Sequence, residues 1–461
     1  MGLLGGNYLV SIHPNFRFGL GVYGAVYGER GGFFTGGFES TLHFPLTEHI
    51  YFDSGFFVGG GGGGAAPQGG GLMFRPHLDF GLNLGKYLSL GIGYSIVRFP
   101  NGKIRSDQAT IHVQRSFSAF IYPGMQRQSV GILEGINLNR HRRLFALQIN
   151  AYFPDRGTPG RDGLPLDSRM DVVGVRWREA MSGRWWGDFE TGGAWGGGVD
   201  GFAQVFIGSA YEWPLLKTVS FLTGLQLGAA GGGDVHTGGG MLARFNLAGV
   251  TALSSQWQFI LEAGRIVAVD GEFRAWALTG ALAYDYDVLR PSNNKSAKNF
   301  EANQLQWADF RLRAGMQRYA RYWYGNGRKD SGLAPVPVDQ VHLKIDAFAT
   351  ESWFVSGQAL AAYDGGAGGY AVGLVGSGLR LSLTPAIYTS AELLVGAAGG
   401  GGIAVGGGMI VQPMLGLGYR IKQTWSVELS AGYIHAYSGA LDAAIMDLAI
   451  GYEFSVPHGK K

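Results

Sequence analysis

The chain has 461 residues, 80 of them glycine and none cysteine, and a net charge of +3. Charged residues make up 15% and aromatics 13%. That is too little charge for an ordinary soluble surface and too many aromatics for disorder. The small net charge does not mark a nucleic-acid binder, and the missing cysteines exclude disulfides, thiolate metal sites and cysteine nucleophiles.

Met1-Gly2-Leu3-Leu4-Gly5-Gly6 lacks the basic start and long apolar stretch of a secretory signal, so the numbering is expected to describe a mature chain. No apolar run approaches the ~18–20 residues of a membrane-spanning helix. Strand-like residues begin near Tyr8, so no N-terminal plug domain is expected in these residues. Gly19, Gly21 and Gly24 fit a dinucleotide fingerprint. That fingerprint needs a strand-to-helix turn, and here the alternation simply continues.

Period-2 alternation dominates the rest. Over 74–84, Phe74, Pro76, Leu78, Phe80, Leu82 and Leu84 oppose Arg75, His77, Asp79, Gly81 and Asn83. Successive strand side chains point to opposite faces, giving one apolar face and one polar face. Phe145, Leu147, Ile149, Ala151 and Phe153 alternate with Gln148 and Asn150. The pattern returns over 425–433 and 446–456. These runs are longer than the ~5–6 residues of a typical soluble strand and suit a tilted bilayer crossing. The basic cluster Arg140-His141-Arg142-Arg143 fits either a membrane edge or a solvated turn. Long loops are expected at 154–165, 291–304 and 325–338, where turn and breaker residues gather.

Gly451-Tyr452-Glu453-Phe454-Ser455-Val456 is similar to the C-terminal assembly signal of bacterial outer-membrane β-barrels. The tail Pro457 to Lys461 departs from it, since many members end on the aromatic. The resemblance implies an outer-membrane location, contact with lipid and lipopolysaccharide, and a polar lumen.

Glycine runs recur at a fixed spacing. Gly59 to Gly64 is followed by Gly69 to Gly71; 169 residues on stand Gly228 to Gly233 and Gly238 to Gly240; 168 further on stand Gly396 to Gly401 and Gly406 to Gly408. Arg75 falls in register with Arg244 and Gln412. This predicts a threefold internal repeat, approximately 7–121, 122–288 and 305–456. The expected fold is all-β: a single wide transmembrane antiparallel barrel of roughly 20–24 strands spanning 1–461. Three separate small barrels are the alternative, disfavoured because segments 306–316 and 343–349 continue the strand pattern between repeats.

Ionisable groups at membrane depth must face water or each other. Arg75, His77, Asp79, Arg244, Glu262, Asp346, Arg420, Glu428 and Glu453 are therefore expected to line the lumen. The hairpins marked by Gly59, Gly64, Gly69, Gly228, Gly233, Gly238, Gly396, Gly401 and Gly406 are either flexible loops or surfaces for close approach by another backbone. A protein partner could sit there or in the lumen. No Gly-x-Ser-x-Gly elbow, metal-ligand spacing or P-loop lysine appears. No enzyme activity, catalytic residue, metal, cofactor or nucleic-acid partner is expected. The expected function is an outer-membrane channel or export pore for solutes or a polymer. A structural or secretion/motility-machine barrel occupied by partner proteins or lipids is the alternative.

Overall fold

The computed structural model describes residues 1–125, 137–166, 168–291, 298–299, 305–320 and 337–459. Most of these residues are in β-strands, and none is helical. The expected loop at 154–165 is present between strands. Most of 291–304 and 325–338 lies outside the described residues.

Three sheets follow one another along the chain. The first holds β1 (Gly2–His13), β2 (Phe16–Tyr27), β3 (Phe34–Pro45), β4 (Ile50–Gly62), β5 (Met73–Asn83), β6 (Leu88–Arg98) and β7 (Arg105–Arg115), paired in chain order. The two-residue β8 (Tyr122–Pro123) pairs with the last strand of the chain. The second sheet holds β9 (Asn137–Pro154), β10 (Met170–Ala180), β11 (Trp185–Gly196), β12 (Ala203–Pro214), β13 (Val219–Gly231), β14 (Met241–Ala252), β15 (Trp257–Ala268) and β16 (Arg274–Pro291). The short β17 (Lys298–Asn299) adds to β9. The third sheet holds β18 (Leu305–Tyr319), β19 (Val338–Phe348), β20 (Trp353–Asp364), β21 (Ala371–Ser382), β22 (Ile387–Gly399), β23 (Met409–Ile421), β24 (Trp425–Ala436) and β25 (Asp442–Gly459).

Two of the sheets close. Ile149 of β9 faces Val173 of β10 on one side and Gly280 of β16 on the other. Ala314 of β18 likewise lies between Leu343 of β19 and Ile450 of β25. Each is an eight-stranded antiparallel barrel. The first sheet has seven strands, and among the described residues β1 and β7 do not pair with each other. The expected single wide barrel is thus corrected to two closed small barrels and a partial one. Segments 306–316 and 343–349, expected to bridge repeats, are β18 and β19 of the same barrel. Closure depends on pairing a first strand with a last one over a hundred residues away, and period-2 alternation carries no information about that.

The strand connections differ at the two ends. Turns such as 46–49, 181–184, 253–256 and 383–386 are short, while 155–169, 232–240 and 400–408 on the opposite end are long. Outer-membrane barrels show this asymmetry, with short turns on the periplasmic side. Trp185, Trp213, Trp257, Trp353 and Trp425 all stand exposed beside the short turns. Amphipathic indole rings at one level mark a membrane–water interface.

The glycine hairpins join the sheets to one another. The turn after β4 meets β20, the turn after β13 meets β2, and the turn after β22 meets β11. Gly231 abuts Gly32, Gly399 abuts Gly201, and Gly369 abuts Gly63. The three contacts form a closed ring in which each sheet touches both others. Gly32, Gly201 and Gly369 have φ values of 86°, 85° and 89°, which L side chains rarely adopt. A Cβ on any of them would lie under 3.0 Å from the facing backbone. Two inter-sheet hydrogen bonds reinforce the ring: Gly31 N–H to Gly238 O at 3.0 Å and Gln68 Nε2 to the Gly368 carbonyl at 2.8 Å.

Candidate functional site: the barrel interiors

Alternation places polar side chains inside and apolar ones outside. On β15, Phe259 and Leu261 are exposed, while Ile260 and Glu262 are buried. On β23, Leu415 and Leu417 point out, with Gln412 and Met414 inside. This is the inverse of a soluble protein. The apolar exterior requires a hydrocarbon surround, and the ionic interior is sheltered from it.

The second barrel is packed around a four-residue ionic cluster. Arg176 donates to Glu262 at 2.6 Å and to Glu190 at 2.9 Å. Arg244 donates to both oxygens of Glu190, one at 3.1 Å. Gln204 donates to Glu190 at 3.1 Å and Asn246 to Glu262 at 2.9 Å. All four charged side chains are at most 3% exposed. Beyond the cluster the interior turns apolar towards the long loops, whereas towards the short turns apolar residues are interleaved with the buried Arg178–Asp188 pair, at 2.6 Å, and with Gln258 and Asp285. Phe202, Phe206, Leu242, Ile266 and Phe273 pack towards the long loops. Leu144, Trp186, Leu222, Val250 and Ile260 pack towards the short turns. A wet path through this barrel would have to cross the apolar layer beneath the long loops.

The third barrel repeats the plan with other residues. Arg311 donates to Asp346 at 2.8 Å and Glu428 at 2.9 Å. Arg313 donates to Glu428 at 2.8 Å, Asp346 at 2.9 Å and Glu392 at 2.6 Å. Lys344 pairs with Glu392, and Arg380 pairs with Glu453 at 2.6 Å. A cavity of about 10 Å³ remains beside Arg313, His342 and Glu392. That is about the room of a single water.

The first sheet carries a looser set. Glu39 accepts from Arg75 at 3.4 Å and pairs with His77 at 2.7 Å, and His77 also pairs with Asp79 at 2.5 Å. Arg75 donates to the Tyr23 hydroxyl at 2.6 Å. Towards the short turns, Arg17 lies 3.6 Å from Asp53, and His112 lies 3.7 Å from Asp79. Their side chains keep 15% and 31% exposure.

Of the residues expected to line a lumen, Arg75, His77, Asp79, Arg244, Glu262, Asp346, Glu428 and Glu453 lie inside a sheet, divided among three interiors. Arg420 does not join a charged cluster. Close to the end of β23, it bonds Ser382 Oγ at 3.0 Å and the Pro385 carbonyl at 3.2 Å. Arg176, Glu190, Arg311, Arg313, Lys344 and Glu392 were missed. Their signal was available: Arg176 alternates with Val175 and Trp177, and Arg311 and Arg313 flank Leu312.

The marker glycines serve their own loops. Gly64, Gly233 and Gly401 have φ near +57° and abut the carbonyls of Arg30, Val199 and Ala367. Gly69, Gly238 and Gly406 similarly abut Asn101, Asp270 and Ser438, while Gly59, Gly228 and Gly396 crowd the adjacent strand of their own sheet. Other glycines of the same hairpins meet the neighbouring sheet, so the backbone that approaches them belongs to this chain. The basic cluster lies within β9 and not in a turn: Arg142 pairs with Asp285 at 2.7 Å and Arg143 with Glu179 at 2.9 Å.

Closed walls, an apolar exterior, a tryptophan row and charge held inside define a transmembrane β-barrel protein of the bacterial outer-membrane type. No protein-family model matches the chain, and no curated protein does. Among solved structures, a KdgM porin in complex with disordered oligogalacturonate is 7% identical at a TM-score of 0.15, covering 67% of this chain and 98% of its own. OpdQ of Pseudomonas aeruginosa is 11% identical at 0.24, covering 98% and 89%. A mutant ferric enterobactin receptor of the same organism is 10% identical at 0.30, covering 96% and 81%. At TM-scores this low the likeness carries no argument, and the class rests on the inside-out distribution of side chains.

Proposed function

We propose that the chain is a narrow outer-membrane conduit for small polar solutes, with the path along the interior of the first sheet. The observation that carries this reading is the contrast between interiors. Arg176, Glu190, Arg244 and Glu262 are at most 3% exposed and bonded to one another, whereas the Arg17 and His112 side chains keep 15% and 31% exposure. Charges of both signs line that opening, as a selective passage for small ions or polar molecules needs. Passage of a polymer finds little support, because the closed barrels are filled by their own side chains, as expected for eight strands. The recurrence of Gly32, Gly201 and Gly369 supports descent of the three units from one, over approximately 7–121, 122–288 and 305–456.

Planar-bilayer recording tests the reading. The protein should show small step conductances, and Arg17→Glu or His112→Glu should move ion selectivity towards cations. Lys217→Ala, in the turn after β12, serves as the control and should change neither. Complete absence of steps would overturn the conduit.

The filled barrels and the glycine ring favour one other reading, a rigid membrane platform that presents its rim to lipid or protein partners. It predicts no conductance together with a subunit that co-purifies in fixed ratio.

A further inference from the structure

The first sheet has two bare edges. Among the described residues β1 pairs only with β2, and β7 only with β6. Each strand is 11 or 12 residues long, so a row of backbone N–H and C=O groups faces the seam from each side. Lipid-exposed sheet edges are not tolerated at hydrocarbon depth, because nothing there satisfies those groups. Side chains alone span the seam among the described residues. Arg17 Nη1 reaches Gln114 Oε1 at 3.3 Å, and Tyr8 meets Phe117 with ring centroids 5.6 Å apart.

Strand direction limits what can close it. Seven strands paired antiparallel in chain order leave β1 and β7 running the same way. Joining them directly would need a parallel pair in an otherwise antiparallel wall. A second copy in the same membrane orientation meets the same obstacle, since its β7 also runs parallel to β1. One strand running against both removes the mismatch.

The other two sheets show that strand in place. The glycine hairpin lies between β4 and β5, β13 and β14, and β22 and β23. Counting back from it, β1 corresponds to β10 and β19. The slot beside β1 is then the one filled by β9 and β18, each bonded on both sides. Side chains give a second, independent sign. In the second barrel, Arg244 donates to the Tyr152 hydroxyl of β9 at 3.4 Å. In the third, Gln412 bonds Gln317 of β18 at 3.3 Å. Arg75 holds the same register position, is 7% exposed, and its Nε–H has no acceptor among the described residues.

We propose that the first sheet is completed by an eighth strand: an extended amphipathic segment of about eleven residues lying antiparallel to both β1 and β7. Its inward face carries a hydrogen-bond acceptor for Arg75, and its outward face is apolar. Recognition is strand addition, with affinity from the two ladders and register from the alternating side chains. The proposal holds whether or not the interior conducts.

The chain has no native cysteine, so single introduced thiols can report the seam. Gly6→Cys on β1 is sterically free, since a Cβ there meets nothing within 4 Å; Ala109→Cys marks β7. The full chain is refolded into phosphatidylcholine vesicles with a synthetic peptide of residues 144–154, taken from β9 and carrying one cysteine. Stoichiometric cross-linking of the peptide to both variants, absent with a scrambled peptide, is the expected result. A Tyr152→Phe peptide should cross-link several-fold less at equal concentration. The proposal is overturned if the peptide does not cross-link, or if the scrambled peptide does so equally. It is also overturned if a Gly6→Cys/Ala109→Cys variant oxidises within one chain, showing self-closure, or between two copies, showing a shared wall.

Discussion

Gly231, at the end of β13, lies directly against Gly32, in the turn after β2, and this backbone-on-backbone contact locks the second barrel to the first sheet. Equivalent contacts pair Gly399 with Gly201 and Gly369 with Gly63. A side chain at Gly32 would have to adopt φ near 86° and displace the facing strand. Gly32→Val should therefore destabilise the junction by about 1–3 kcal/mol from backbone strain alone, while β9 to β16 stay closed. Limited proteolysis in detergent should cut between the first sheet and second barrel faster than in the parent, with the second barrel surviving as a resistant fragment.

Glu190 holds two arginines at once, Arg176 at 2.9 Å and Arg244 at 3.1 Å. Glu190→Ala leaves Arg176 with Glu262 alone and Arg244 with only the neutral acceptors Gln226 and Tyr152. Removing one partner of a buried ion pair costs about 3–5 kcal/mol. Urea unfolding in lipid vesicles should show a loss of that size. Glu190→Gln keeps the oxygen acceptor and should lose less.

Leu261 sits mid-strand on β15, 52% exposed on the outer face, next to the buried Glu262. Leu261→Arg puts a charge in hydrocarbon and should cost about 2–4 kcal/mol if it lies at the bilayer midplane. The same substitution at Leu253, in the turn 253–256, should be near neutral. Equal effects at both sites would show that β15 does not cross the membrane.

Asp155, just past the end of β9, accepts two hydrogen bonds from Arg265, one at 2.7 Å. Those bonds hold its carboxyl below the usual carboxylate range. A carboxyl with a lowered folded pKa stabilises above its unfolded value, about 3.9, and that contribution is lost as pH falls through the folded value. The tether on loop 155–166 should therefore be intact at neutral pH and released in acid. Protease cleavage within the loop should rise below about pH 4, and Asp155→Asn should show the raised rate already at pH 7.

The strands themselves were legible. Alternation over 74–84 coincides with β5, and the runs at 145–153, 425–433 and 446–456 lie inside β9, β24 and β25. Interior charge was legible wherever an ionisable residue fell opposite a clean apolar row, as with Arg75 opposite Phe74 and Pro76. Arg420 misled because it lies so near its turn that its side chain reaches the barrel end. Closure was not legible: the partner of Ile149 is Gly280, and nothing local to either residue distinguishes that pairing from one with a strand of a neighbouring sheet. Glycine spacing carried the spatial relationship between units, although it could not say that the approaching backbone was another part of the same chain.

The most direct test is whether β9 closes onto β16. Leu147 and Leu282 face each other across that ladder, and both point outward. With no native cysteine to interfere, a Leu147→Cys/Leu282→Cys variant oxidised in the folded, membrane-inserted state should form an intramolecular disulfide in near-quantitative yield. In one wide barrel, β9 and β16 would lie on opposite sides of six intervening strands. The thiols would then stay free after oxidation, and that result would contradict the three-unit architecture.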